Sequence, residues 1–212
     1  MLISVLNQKG GVGKSTTSVH LARWLQLQCR TVHLADLDPQ QTASTWLAGV
    51  EAFSVPCTVV AADPDAVLEQ LPTLAQSVEV LVIDGPAGIS EATRAAMLLS
   101  DLVVCPVQPA GADLHSAVEL LRLVGQARRI RGQLPDAAVF INRAVRGTRL
   151  LQEARAALEQ LEGIRTLQQV ITQRQAIADG YSQGCTVFDA DTGPGVQAAA
   201  EYRRLFAELL NA

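Results

Sequence analysis

The chain has 212 residues, 49% hydrophobic and 18% charged, which excludes a disordered polymer and allows a sizeable core. No apolar run approaches the ~20 residues of a bilayer span, and the opening Leu2-Ile3-Ser4-Val5-Leu6 lacks the basic segment of a signal peptide. Cys29, Cys57, Cys105 and Cys185 are scattered without a Cys-x-x-Cys pair, so free thiols in the cytoplasm are expected, not a zinc site or a disulfide framework.

Apolar, β-branched runs alternate with helical patterns along the chain, predicting an α/β fold with a mostly parallel, twisted sheet flanked by helices on both faces. In order, the patterns predict strand 2–6, helix 16–27, strand 31–35, strand 58–61, helix 66–74, strand 78–83, helix 91–99 and strand 102–107. Helix 112–130, strand 137–141, helix 150–161, strand 167–171 and helices 173–183 and 195–210 follow. Several strands are apolar almost throughout, as strands covered on both faces are. Turn-rich stretches 84–90 and 106–111 fall just past strand ends, where open α/β sheets place ligands. With no linker or internal repeat, residues 1–212 read as one domain.

Between the first strand and the first helix stands Asn7-Gln8-Lys9-Gly10-Gly11-Val12-Gly13-Lys14-Ser15-Thr16. Gly10, Gly11 and Gly13 permit positive φ, so that successive N–H groups, together with that of Val12, form a concave anion nest. The following helix directs its positive dipole end at the same anion. This is a P-loop: Lys14 is expected to reach the β- and γ-phosphates of ATP, Ser15 to ligate Mg²⁺ and Thr16 to reach the α-phosphate. Lys9 and Lys14 are the only lysines among 17 basic residues, which marks both as functional and not as generic surface charge. Asp84 closes the apolar run Val80-Leu81-Val82-Ile83, a position suited to contacting Mg²⁺, usually through water.

The loop departs from the usual pattern by carrying Gln8 where glycine is expected, with Lys9 next to it. In this it resembles the deviant P-loop of the ParA/MinD class. The resemblance extends to Asp36-Leu37-Asp38-Pro39-Gln40, to Asp84-Gly85-Pro86-Ala87-Gly88, to Pro106-Val107-Gln108-Pro109 with Asp113, and to Ile141-Asn142-Arg143. Ile171-Thr172-Gln173-Arg174-Gln175 and Thr186-Val187-Phe188 are similar to the short ParF-type plasmid partition ATPases, which lack a separate N-terminal DNA-reading domain; none is expected before the strand at Leu2.

The resemblance implies that Lys9 reaches phosphates held by the partner subunit of an ATP-dependent homodimer, in the manner of an arginine finger. It implies that Asp38 holds the attacking water, that Asp36 supports the metal shell, that Gly88 senses the γ-phosphate and that Asn142 contacts adenine. It further implies ATP hydrolysis to ADP and phosphate, non-specific DNA binding, a ParB- or ParG-like adaptor that stimulates hydrolysis, and a cytoplasmic protein that joins the nucleoid when ATP-bound. The expected function is plasmid or chromosome partition, or the positioning of another cargo.

Two other readings share the scaffold. A membrane-cycling MinD-like protein needs a basic amphipathic C-terminal helix, and the end of this chain carries only Arg203 and Arg204 before Leu205-Phe206. A metabolic enzyme, such as an ATP-dependent synthetase or an iron–sulfur reductase, would in the latter case need a cysteine pair, and only Cys105 stands near the right strand end. No membrane partner is expected. The net charge of -4 argues against DNA, but Arg122, Arg128, Arg129, Arg131, Arg143, Arg146 and Arg149 face a single acid, Asp136, a local charge of +6. That run, joined by Arg203 and Arg204, is the expected DNA surface, doubled when the dimer closes.

Overall fold

The computed structural model describes residues 1–210, except for the side chains of residues 112–114. Seven strands form one parallel sheet: β1 (Leu2–Asn7), β2 (Val32–Asp36), β3 (Cys57–Val59), β4 (Val80–Ala87), β5 (Leu102–Val107), β6 (Asp136–Ile141) and β7 (Arg165–Thr166). Their order is β3-β2-β4-β1-β5-β6-β7. The helices are α1 (Lys14–Leu27), α2 (Thr42–Ala48), α3 (Pro64–Ala75), α4 (Glu91–Leu99), α5 (Gly111–Arg131), α6 (Arg149–Glu159), α7 (Gln175–Gln183) and α8 (Gly193–Leu210). All strands point the same way, so the loops that leave their C-terminal ends gather on one side, around the reversal of strand order at β1 and β4.

The period-2 alternation of strand side chains divides the core. Ile3, Val5, Val82 and Val104 pack on one face with α1, α2 and α8, where Trp46, Tyr202 and Phe206 are buried. Leu6, Val103, Cys105 and Val139 face α5 and α6, and Ala35, Leu81 and Ile83 face α3 and α4. Asp63, Ser90 and Thr148 cap α3, α4 and α6 by accepting a backbone N–H from the third residue onward, each worth about 0.5–2 kcal/mol.

Three elements depart from the sequence pattern. The short α2 was not expected, because its one turn of apolar contact, Ala43, Trp46 and Leu47, is too brief to give a period. β4 runs on through Asp84-Gly85-Pro86-Ala87, predicted as a turn, because Ala87 pairs with Asn7 across a register shift in β1. The predicted strand 167–171 is not formed, and β7 lies just before it at Arg165–Thr166: Leu167 and Ile171 still donate to Val139 and Ile141 of β6, but the N–H groups of Gln168 and Gln169 go to Glu208 of α8. The tertiary position of α8 interrupts the ladder there. Among the described residues no helix is long and apolar enough to cross a membrane, and Tyr202, Leu205, Phe206 and Leu209 of α8 are buried in the core.

Candidate nucleotide site

The P-loop leaves β1 at Asn7, whose amide donates to the Pro106 carbonyl (2.7 Å) and accepts the Lys9 N–H (3.0 Å), pinning the loop between β1 and β5. Gly11 and Gly13 take φ of 75° and 96°, and α1 begins at the next residue, Lys14. At Gly13 a side chain is excluded twice: the backbone is left-handed, and a Cβ would sit 2.2 Å from Nδ2 of Asn142. Thr17 returns both its N–H and its hydroxyl to the Gly13 carbonyl, leaving the earlier amides of the loop for an anion.

Lys14 is only 5% exposed, and its ammonium donates to the Lys9 carbonyl (3.2 Å). Burial holds its pKa below the usual lysine range, against the pull of Asp84 and Asp38. Lys9, in contrast, is exposed. The two lysines of one loop thus occupy opposite environments.

Asp84 is fully buried. One carboxylate oxygen accepts from Ser18 (3.0 Å), and the other, Oδ2, is buried with no hydrogen-bond partner. Burial pushes this carboxyl up to about 7, with the Ser15 hydroxyl next in influence and pulling it down. An orphaned carboxylate oxygen beside Ser15 and Lys14 fits a hard divalent cation, which would satisfy it. Among the described residues no group of three or more His, Cys, Asp or Glu side chains forms a protein-only metal cage, so such a cation would take its remaining ligands from phosphate and water.

Asp36 has both oxygens engaged by backbone, accepting from Asp38 N–H (3.1 Å) and Ser44 N–H (2.8 Å). It shapes the Asp38 loop and holds the start of α2. Asp38 is half-buried and accepts the Gln40 N–H (2.9 Å). It lines a cleft of about 310 Å³ together with Gly10, Gly11, Gly13, Lys14, Ser15, Thr16 and Arg143.

Two expected contacts are occupied differently. Gly88 donates its N–H to the Gln8 carbonyl (2.8 Å), because the extended β4 lies against the P-loop, which it braces. Asn142 donates Nδ2 to the Val12 carbonyl (2.8 Å) and accepts the Arg143 N–H with Oδ1 (2.9 Å), so its amide is engaged with backbone. It nevertheless lines a second cleft of about 630 Å³, walled by Arg143, Val145, Ile177 and the segment from Thr172 to Gln175. Thr16 and Arg143 line both clefts, so the two adjoin as one groove region with a narrower end at the P-loop and a wider end of mixed polar and apolar lining. Arg143 itself takes φ of 52°. It stands in the Ile141-Asn142-Arg143 motif and in the expected DNA surface, but its place between the two clefts was missed, although its position directly after a strand end was an available signal. Asp113 lies outside the described residues.

The arginine run does not form one surface. Arg128 donates to the Pro135 and Gly163 carbonyls and Arg131 to the Ser100 carbonyl, just before β6, β7 and β5 respectively. Arg143 and Arg146 follow the far end of β6, on the groove side. The length of β6, roughly 3.3 Å per residue, separates the two groups. Arg122 and Arg149 pair with Glu119 and Glu153 on their own helices. What is contiguous in sequence is split by the sheet. Cys105 is buried, and burial pushes its thiol up to about 12, a neutral core side chain.

Residues 3–187 match the family model described as the CobQ/CobB/MinD/ParA nucleotide binding domain. The chain is 30% identical to the chromosome-partitioning ATPase Soj of Thermus thermophilus, covering 98% of this chain and 94% of that one. It is also 30% identical to the maintenance of carboxysome distribution protein A of Gloeobacter kilaueensis, over 98% and 93% of the two chains. The fold is shared with the apo McdA structure from Cyanothece, with a TM-score of 0.79 at 15% identity over 98% of each chain. Family model, relatives and groove geometry agree: the chain belongs to the CobQ/CobB/MinD/ParA nucleotide-binding family and is a ParA-type ATPase of the partition or positioning class.

Proposed function

We propose that this chain, as one domain, binds MgATP along the joined clefts, dimerises around it, and hydrolyses it as a timer for segregating DNA or positioning another large cargo. The observation that carries this reading is the opposite setting of its two lysines, Lys14 buried within the loop and Lys9 exposed on it. A buried ammonium suits the phosphates held by its own subunit. An exposed one on the same rim suits phosphates held by a second copy.

In this reading the N–H groups of Gly10 to Gly13 cradle the β-phosphate, Lys14 neutralises the β- and γ-oxygens, and Thr16 meets the α-phosphate. Ser15 and Asp84 hold Mg²⁺, with Asp36 fixing the loop behind it. When bound, Mg²⁺ would offset charge on the phosphate oxygens. Asp38, facing the same cleft, orients water for in-line attack. Lys9 acts only once two subunits close, so hydrolysis is coupled to dimerisation. Gly88 is freed for the γ-phosphate if ATP draws it from Gln8, and Asn142 holds the P-loop at the boundary with the base end.

The names of the relatives, one partitioning chromosomes and the other distributing carboxysomes, span the two cargo classes. Non-specific DNA binding by the dimer and an adaptor that speeds hydrolysis belong to the same proposal. The split of the arginines means that one group of them, not the whole run, would face the duplex. Burial of the apolar residues of α8 gives no support to a membrane-cycling alternative.

Sedimentation of the wild type and of Lys9→Ala with MgATP and with MgADP tests the proposal. The wild type should dimerise with ATP and not with ADP, and Lys9→Ala should stay monomeric while still binding ATP. A wild type that remains monomeric with ATP, or a variant that dimerises normally, would refute the role in trans.

A further inference from the structure

Glu201 lies in the middle of α8 among core residues and is 2% exposed. Its neighbours on that helix face, Ala198, Tyr202 and Leu205, are apolar, so packing alone would be met by an apolar side chain. Instead its carboxylate gathers four donors. Oε1 accepts from Arg146, Arg174 and the Thr172 hydroxyl, each at 2.9 Å, and Oε2 accepts the Thr172 N–H at 2.9 Å. Burial would push this carboxyl up, but the Thr172 N–H, Arg146 and the Thr172 hydroxyl outweigh it and hold it below the usual glutamate range. A buried carboxylate survives only when so compensated, and a fully compensated one fixes the geometry of everything bound to it.

What it binds are the two lips of the wide end of the groove. Thr172 and Arg174 belong to the lip that runs through Gln175 into α7. Arg146 belongs to the loop after β6, whose Arg143 and Val145 form the other lip. The next residue, Tyr202, stacks on His20 of α1 (4.6 Å between ring centres, 8° between planes), and His20 Nδ1 bonds the carbonyl of Thr16, which lines both clefts. Two consecutive residues of the C-terminal helix therefore hold the groove from behind at both ends.

We propose that Glu201 is a positioning residue for the base of the bound nucleotide: by tying both lips together it presets the wide cleft, so that ATP is gripped by its base and not by its phosphates alone. This rests on the nucleotide reading above. Preorganisation of a lip lowers the cost of ordering it on binding, so the gain should appear only for ligands that reach it.

The test compares binding of ATP with binding of inorganic tripolyphosphate, both with Mg²⁺, by calorimetry on the full chain. Glu201→Gln should weaken ATP about tenfold, equivalent to about 1.4 kcal/mol, while leaving tripolyphosphate within about twofold. Arg146→Met serves as a second variant. Its arginine is 61% exposed and lines neither cleft, so its removal spares the core, and its effect reaches the groove through its bonds to Glu201 and to the Thr172 hydroxyl (3.1 Å), the two groups that tie the lips together. It should show the same selective loss, about threefold. Unchanged ATP affinity in the folded variants, or equal weakening of ATP and tripolyphosphate, would overturn the proposal. Failure of the wild type to bind either ligand would instead overturn the nucleotide reading on which it rests.

Discussion

His20 makes the stability of the nucleotide site depend on pH in a direction that can be worked out. The ring is fully buried, stacked on Tyr202 and edge-on to Trp46 (5.5 Å) and Phe188 (5.9 Å). Its Nε2 accepts the Val187 N–H (3.2 Å), so it is unprotonated, and Nδ1 carries the proton given to the Thr16 carbonyl (2.7 Å). Burial lowers its pKa from 6.5 to about 4, against smaller opposing effects of the Thr16 carbonyl and of Asp189, itself paired with Arg23 at 3.0 Å.

A depressed histidine means that the unfolded chain holds more protons than the folded one between these two values. Stability is therefore highest above pH 6.5 and falls as pH drops toward 4. At ~1.4 kcal/mol per pH unit the interval amounts to about 3 kcal/mol, a large part of a typical ~5–15 kcal/mol. Urea unfolding of the wild type and of His20→Phe, from about pH 7 to about pH 4.5, isolates the effect, since the carboxylates titrate alike in both. The variant should be less stable at neutral pH, having lost two hydrogen bonds, but should lose less on acidification. Parallel curves would refute the reasoning.

Lys14→Ala should weaken nucleotide binding at least about tenfold, as loss of charge-assisted hydrogen bonds to phosphate costs about 1.5–3 kcal/mol; titration with a fluorescent ATP analogue reads it, and unchanged affinity would remove Lys14 from the site. Asp38→Ala should still dimerise with ATP but hydrolyse it about a hundredfold more slowly, because an oriented water serves chemistry and not binding; phosphate release at the parental rate would leave Asp38 only its turn with Gln40. Gly13→Ala should lose about 2 kcal/mol or more, from left-handed strain of about 1–2 kcal/mol together with displacement of the Asn142 amide. Adding Asn142→Ala should return only the steric part in thermal melts, and full recovery would show that the backbone angle is not limiting. Binding to unrelated DNA duplexes should require ATP and fall with salt by a slope of about 0.9 per neutralised phosphate. Arg143→Ala and Arg129→Ala, at opposite ends of the sheet, should differ in that slope, and identical losses would argue against a single facing end.

The P-loop and the class of fold can be read from neighbouring residues in the chain. Both are local: three glycines, a lysine and a serine between an apolar strand and a helix define an anion nest from adjacent residues, and apolar periodicity defines covered strands. The buried place of Asp84 was legible for the same reason, as a carboxylate following an apolar run of the kind carried by strands covered on both faces. The tertiary structure decided whatever depends on residues far apart in the chain. It assigned Gly88 to Gln8 and Asn142 to Val12, engaging groups that the motifs alone would leave for ligand. It divided the arginine run, because a strand carries the chain from one end of the sheet to the other and nothing in a charge count records direction. It also set Glu201 of α8 behind Thr172, Arg174 and Arg146, a carboxylate whose sequence neighbours show only an apolar helix face. The wide end of the groove is built from three segments that meet only when the sheet closes, and for that physical reason no one stretch of sequence announces it.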